Sequence, residues 1–291
     1  MATLDNPLID RLKSWPLYAL PHHLLSRVIF WLTRRKTTLA HPVMRLFAKT
    51  YGVNMQEAAQ SEFEHYASFN EFFTRELKSS ARVVAADPNT IVSPVDGAVS
   101  QCGNIHDDQL FQAKGHTYSL TNLLGAEEQA CTAFHGGRFA TLYLSPRDYH
   151  RIHMPVDGTL RKMIHIPGRL FSVAPHTVRT VPNLFARNER VVCLFDTPAG
   201  PMSMVLVGAI NVAAIETVWH GLVTPPTRKD PSAYDYSEDG ALNLEKGAEM
   251  GRFNMGSTVI LLTGSNITFN TRFAAEQSIR MGESIGTFNP D

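Results

Sequence analysis

The sequence predicts an α+β fold in which an N-terminal amphipathic helical segment, residues 1–65, precedes a β-rich, mostly antiparallel body, residues 66–291. Three observations carry that expectation. Apolar residues recur at spacings of three and four from about residue 17 to 60. After about residue 90, short β-branched runs alternate with Gly, Pro, Asn and Asp. Basic residues gather at the amino end, although the formal charge of the whole 291-residue chain is zero.

The helical period is carried by Leu24, Leu25, Val28, Ile29, Trp31 and Leu32, then by Leu39, Val43, Leu46 and Phe47. Pro16, Pro21 and Pro42 divide the segment into short helices. Residues 1–50 hold eight Lys or Arg against Asp5 and Asp10, so this end is suited to an anionic partner. Trp15, Tyr18, Phe30 and Trp31 lie among these cations. That mixture suits a helix lying in a lipid headgroup region, and the same apolar face suits a helix covering a soluble core. Leu24, Ile29 and Trp31 are the candidate apolar contacts with a membrane, and Arg34, Arg35 and Lys36 the candidate cationic ones. The apolar stretch 24–32 contains Arg27 and is shorter than the roughly 18 residues a span requires. The chain can therefore lie on a membrane but is not expected to cross it, and MATLDNPLIDRLKSWP has too many charges and prolines for a secretory signal.

A further helix is predicted over residues 69–78, with Ser68 as N-cap and Glu71 completing a capping box. Beyond it, TIVSPVDGAVS, ATLYLSPRDYH, RVVCLFDTP, SMVLVGAINVAAIETVW and STVILL read as strands joined by tight turns. PVDG occurs at 94–97 and at 155–158 without a repeating context, which indicates two similar turns and no duplicated domain. A 44% hydrophobic chain of this length can bury a substantial core, and its charge balance gives no reason to expect nucleic acid. Cys102, Cys131 and Cys193 form no CxxC pair and suit a reducing compartment.

Three places combine reactive side chains with turn chemistry. Asp96 sits at the corner of SPVDG, a position that turn formation alone can explain. His150 and His153, three apart in YHRIHMP, suit acid–base work or metal binding, or one packing His and one loop His; the HExxH and CxxC spacings that would favour metal are missing. In NMGSTVI, Gly256 offers an unhindered carbonyl that the Ser257 hydroxyl can reach, although Gly-Ser-Thr also opens ordinary strands.

Taken in order with their surroundings, these sites make the chain resemble the bacterial phosphatidylserine decarboxylase family. The resemblance rests on FFTRELK, SPVDG, KGHTYSL at 114–120, YLSPRDYHRIHMPVDG at 143–158, VGAINVAAIETVWHG at 207–221 and FNMGSTVILL at 253–262. Met255 stands where that family usually has Leu, an apolar exchange that leaves Gly256, Ser257 and Thr258 in place. The resemblance implies a proenzyme that cleaves itself between Gly256 and Ser257 into chains 1–256 and 257–291. Asp96, His153 and Ser257 would be the processing set, and Ser257 would become a covalent pyruvoyl group, with no metal or pyridoxal phosphate. It implies an imine between that group and phosphatidylserine, loss of CO₂ and release of phosphatidylethanolamine. His150 is the candidate donor of the Cα proton; spacing equally allows Tyr149 or a bound water. It further implies a homodimer, peripheral on the cytoplasmic face of a bacterial inner membrane.

Two other classes compete. A Ser-His-Asp hydrolase would attack an external ester, but the GxSxG elbow is missing. A non-enzymatic membrane-docking β-rich module would leave Asp96, His150, His153 and Ser257 without chemistry. Intact mass separates the first from a self-cleaving enzyme, and CO₂ release from phosphatidylserine separates the second.

Overall fold

Proline placement sets the amino-terminal helices. The computed structural model describes residues 7–113, 115–210, 214–225, 230–236 and 241–289. Helix α1 (Pro7–Ser14) starts on a proline and leads into a 3-10 turn, Trp15–Tyr18, with Pro16 near its start; α2 (His22–Thr33) follows Pro21, and α3 (Ala40–Tyr51) carries Pro42 in its first turn. First-turn N–H groups lack an intrahelical partner, so proline there costs no hydrogen bond. Gly52 closes α3 with φ 73°, a left-handed cap open to glycine.

Helix α4 (Phe69–Phe73) is capped as the sequence predicts, with Ser68 Oγ accepting the Glu71 N–H at 3.2 Å. The Glu71 carboxylate reaches the Ala67 N–H at 2.9 Å, one residue before the cap. The helix stops well short of residue 78. Glu76 and Lys78 instead pair with the 57–59 segment, through Ala59 N to Glu76 O and Lys78 N to Glu57 O at 2.9 Å each. Long-range pairing here overrides helix propensity. Met44, Ala48, Tyr66, Phe69, Phe72 and Phe73 bury one another in a cluster shared by α3 and α4.

The body is built on an antiparallel sheet ordered Ser232–Asp235, Gly158–Ile166, Arg190–Thr197, Gly200–Val207, Thr258–Thr263, Arg138–Tyr143, Gly97–Asn104 and Ser278–Ile279, with Leu242–Leu244 also pairing on Gly158–Ile166. Both PVDG turns feed strands that begin on their glycine, Gly97 and Gly158. The α+β expectation therefore holds, helices first and antiparallel strands after. Thr258–Thr263 lies inside the sheet and is buried at every position, which explains its unbroken apolar run. A second sheet, ordered Gly221–Leu222, Ile215–Thr217, Glu249–Phe253 and Arg151–His153, brings the histidine loop beside the residues that precede Gly256.

The helical segment is tied to this body. Arg179 Nε donates to Asp10 at 2.8 Å, and a ring nitrogen of His23 bonds the Gly168 carbonyl at 2.9 Å. Cys102, Cys131 and Cys193 are free thiols. Among the described residues, no helix is long and apolar enough to cross a membrane.

Candidate active site

Asp96 is fixed by the turn that precedes Gly97–Asn104. A Cβ on Gly97 would meet the Tyr143 carbonyl oxygen at 2.3 Å, so only glycine lets the turn approach the neighbouring strand. The Asp96 carboxylate is buried and fully engaged. It accepts from Arg82 Nε at 2.9 Å, from Arg82 Nη2 and from the Met281 N–H at 2.9 Å. Arg82 also reaches Glu57 at 2.9 Å, and its hydrogen bond to Asp96 is the main cause of a guanidinium held above its ordinary proton affinity.

His153 ends the Arg151–His153 strand. Its Nδ1 donates to the Gly247 carbonyl at 2.8 Å, which leaves Nε2 as the acceptor for the Tyr149 hydroxyl at 3.0 Å. Burial lowers its proton affinity, opposed by the Gly247 carbonyl and by the charges of Glu249 and Asp96. Burial likewise raises the Tyr149 phenol, so the hydroxyl keeps its proton.

His150 is placed by the loop before that strand. Asp148 closes the loop by accepting from both the N–H and the hydroxyl of Ser145 at 2.7 Å. His150 Nδ1 then donates to the Asp148 carbonyl at 2.8 Å, while the Phe73 ring packs 4.2 Å from the imidazole centroid. Nε2 carries a lone pair and has no hydrogen-bond partner among the described residues. A Cβ on Gly256 would lie 3.6 Å from that nitrogen. Complete burial pushes the imidazole down to about 3, so near neutral pH it is an uncharged base.

Ser257 opens the central strand and is wholly buried. Its carbonyl accepts from the Leu144 N–H at 3.0 Å, and its hydroxyl donates to the Val207 carbonyl. A peptide carbonyl cannot take that proton outright, so Oγ must turn from Val207 toward an imidazole before it can act as a nucleophile.

The structure thus brings His150 to Gly256, the residue before Ser257. Asp96, His153 and Ser257, the processing set that the resemblance implies, are not joined in series by hydrogen bonds: none links Asp96 to His153 or His153 to Ser257. His153 and the Asp96 turn are joined through the backbone, His153 N donating to Pro94 O at 2.9 Å. Sequence reasoning missed Arg82, which belongs to no motif, and Arg75, a buried guanidinium inside FFTRELK whose Nη2 donates to the Arg147 carbonyl at 3.1 Å. With Asp96 and Tyr149, these residues line a cavity of about 450 Å³. Lys114 and residues 211–213, parts of two motifs read from the sequence, lie outside the described residues. Among the described residues no three His, Cys, Asp or Glu side chains gather as metal ligands.

Of the candidate membrane residues, Leu24, Trp31, Arg35 and Lys36 are exposed and Ile29 is half-buried. Arg35 stacks over Trp31 at 3.8 Å, whereas Arg34 stacks over Phe30 at 4.3 Å and faces Glu216 at 3.9 Å.

A family profile described as phosphatidylserine decarboxylase matches residues 69–287, and a second, described as PSD, matches residues 12–52. A phosphatidylserine decarboxylase proenzyme of Alkalilimnicola ehrlichii is 55% identical over 258 residues, 88% of this chain and 90% of the relative. The proteins of the same name from Pseudomonas aeruginosa and Pseudoalteromonas translucida are 53% identical over 279 residues and 55% identical over 261 residues. They cover 95% and 89% of this chain, and 96% and 91% of the respective relatives.

Proposed function

The chain belongs to the phosphatidylserine decarboxylase family, and from that premise we propose that it cleaves itself at Gly256–Ser257 and uses the new amino terminus to decarboxylate phosphatidylserine. The enzyme is a carboxy-lyase. The observation that carries the self-cleavage is the unpartnered Nε2 of His150 against Gly256, next to a buried serine whose strand stays paired on both sides.

In the first step an imidazole takes the Ser257 Oγ proton, Oγ bonds to the Gly256 carbonyl carbon, and the Gly256–Ser257 C–N bond breaks as its nitrogen gains a proton. The product is an ester with a free amine. Loss of the Ser257 Cα proton then breaks the Oγ–Cβ bond, with the Gly256 carboxylate as leaving group. Water addition and departure of ammonia leave a pyruvoyl group at position 257. The intact serine, the glycine carbonyl and a neutral base beside them fit that chemistry. The group supplies an electrophile for the substrate amine and an electron sink for the carbon that loses CO₂.

The resemblance assigns the Oγ proton to His153, with Asp96 stabilising the imidazolium. For that, the Tyr149–His153 bond must open. A second reading gives the proton to His150, whose lone pair is already free beside Gly256. On the first reading His150 serves later, as donor to the substrate Cα. Burial keeps this imidazole unprotonated in the uncleaved chain, which frees its lone pair but weakens it as a base, and the Gly256 carboxylate created by cleavage would raise its proton affinity.

Leu12, Trp15, Leu24, Trp31, Leu39 and Leu46 are exposed apolar side chains on or beside α1, α2 and α3, and they support peripheral docking on a membrane surface; the cytoplasmic face of a bacterial inner membrane rests on the resemblance alone. The homodimer rests on the resemblance alone. Intact mass of the purified protein tests the core of the proposal: two fragments, the smaller starting at a pyruvoyl-257, with CO₂ released from phosphatidylserine. One intact chain with a free Ser257 would overturn it.

A further inference from the structure

We propose that Met255 is a positioning residue, held in a strained backbone conformation by the anchored segments on either side of it so that self-cleavage at the next peptide releases the strain. The inference rests on the assignment of Gly256–Ser257 as the cleaved bond and adds why that bond is primed.

Met255 has φ 128°. Among the described residues the other non-glycine residues of positive φ, Asp107, Ala126, Asn183 and Glu276, lie between 44° and 71°, near the left-handed well that L residues can occupy. At 128° a Cβ clashes with the backbone, and the region is left almost wholly to glycine. Yet glycine is at 256 and a large side chain at 255.

The surroundings explain how the conformation persists. Asn254 is buried; its N–H donates to the Ala214 carbonyl at 2.9 Å, and its side-chain oxygen accepts from Asn70 Nδ2 of α4 at 2.9 Å. The Met255 side chain packs against the cluster that includes Met44, Phe69, Phe72 and Phe73. On the other side of the scissile bond, Ser257 is tied through its carbonyl to Leu144, and Thr258 pairs with both Tyr143 and Val207. The chain is therefore clamped on both sides of Gly256, and the misfit falls at Met255. Phe73 touches the His150 ring as well, so one cluster orients a base and loads the bond beside it.

Cleavage separates the two clamps. Once the Gly256–Ser257 C–N bond is replaced by the Gly256–Oγ ester and then broken, Met255 and Gly256 become a free chain end that can relax to ordinary φ. The strain is thus present in the precursor and absent from the product, which favours the forward step.

Comparison of Met255→Ala with Met255→Gly isolates the backbone, because both lose the side chain and only glycine accepts φ 128° without strain. In cell-free synthesis sampled over time, Met255→Gly should self-cleave about ten-fold more slowly than Met255→Ala. In the uncleavable Ser257→Ala background the order reverses, with Met255→Gly melting above Met255→Ala. A residue needed only for packing would not separate rate from stability in this way. Asn70→Ala, which loosens the clamp from α4, should slow cleavage while the Ser257→Ala precursor still melts cooperatively. If Met255→Gly cleaves as fast as Met255→Ala, or melts below it, the strain proposal falls. If the parent chain itself stays intact, the assignment of the cleaved bond falls instead.

Discussion

The Tyr149 hydroxyl donates to Nε2 of His153 at 3.0 Å and closes the one lone pair through which His153 could take a proton from Ser257. His153 Nδ1 is already committed to Gly247, so a processing role for this imidazole depends on the phenol moving away. Tyr149→Phe should therefore leave self-cleavage intact or speed it several-fold if His153 is the base. The same change should cost the precursor about 1–2 kcal/mol, because Nε2 loses its partner inside the protein. Cleavage time courses and denaturant melts of the Ser257→Ala precursor read the two effects separately. Slower cleavage in Tyr149→Phe would show that the phenol takes part and does not merely block.

The two imidazoles are separated by their own substitutions. His153→Ala should stop cleavage on the resemblance's reading, while His150→Ala should leave two chains that release little CO₂. Arrest of cleavage in His150→Ala, with His153→Ala still processed, would transfer the Oγ proton to His150. Ser257→Ala must remain one chain without activity in either case, since no Oγ is left to attack. Fragment mass and CO₂ release together decide among these outcomes.

Asp96 carries a structural load that its place in a tight turn conceals. Asp96→Asn removes the charge facing Arg82, although Glu57 remains as a partner. Loss of one member of a buried pair costs about 3–5 kcal/mol, and Glu57 should keep the loss toward the lower end. The variant should thus both slow cleavage and destabilise the Ser257→Ala precursor. Slow cleavage without any loss of stability would mean that Asp96 acts on His153 alone.

The precursor should also weaken in mild acid. Burial holds His150 at about 3 and lowers His153, whereas both return to 6.5 when unfolded. The unfolded chain then binds more protons below pH 6.5, so stability is complete above that value and falls as the pH drops. His150 contributes up to about 1.4 kcal/mol per pH unit between 6.5 and about 3, and His153 adds to the slope in the same direction. Chemical denaturation of the Ser257→Ala precursor between pH 7 and 4.5 should show that slope, and His150→Gln should reduce it by about one proton. An unchanged slope would mean that the native imidazole is protonated.

What the sequence made legible was local. SPVDG, the Ser68 cap, the three prolines and the buried run TVILL all act through near neighbours or through a simple period, and each formed the expected element. The helix beyond Phe73 failed because its fate is set by pairing with residues 57–59. Arg82 and Tyr149 were illegible as partners of Asp96 and His153, since hydrogen bonds between distant segments leave no spacing to read. The backbone angle of Met255 left no trace that spacing or residue type could show, because the glycine stands one position later.

Membrane docking can be divided into a charged and an apolar component. Arg34 is half-buried and faces Glu216, and Ile29 is half-buried, so changes at either would disturb packing together with any lipid contact. Arg35, Lys36, Leu24 and Trp31 are exposed and give cleaner variants. Each basic side chain near an anionic surface is worth about 1 kcal/mol before screening, a contribution that salt removes within a Debye length of roughly 10 Å at 0.1 M. Burial of Leu24 and Trp31 in the interface is insensitive to salt. Arg35→Glu with Lys36→Glu should therefore weaken flotation with phosphatidylserine-containing vesicles chiefly at low ionic strength. Leu24→Ser with Trp31→Ser should weaken it at every ionic strength. Both pairs should still self-cleave, because the scissile bond is clamped by α4 and the central strand, whereas these four side chains are exposed. If the apolar pair floats as well as the parent, the exposed face of α2 is not the lipid-docking surface, and the substrate must approach Ser257 from another side.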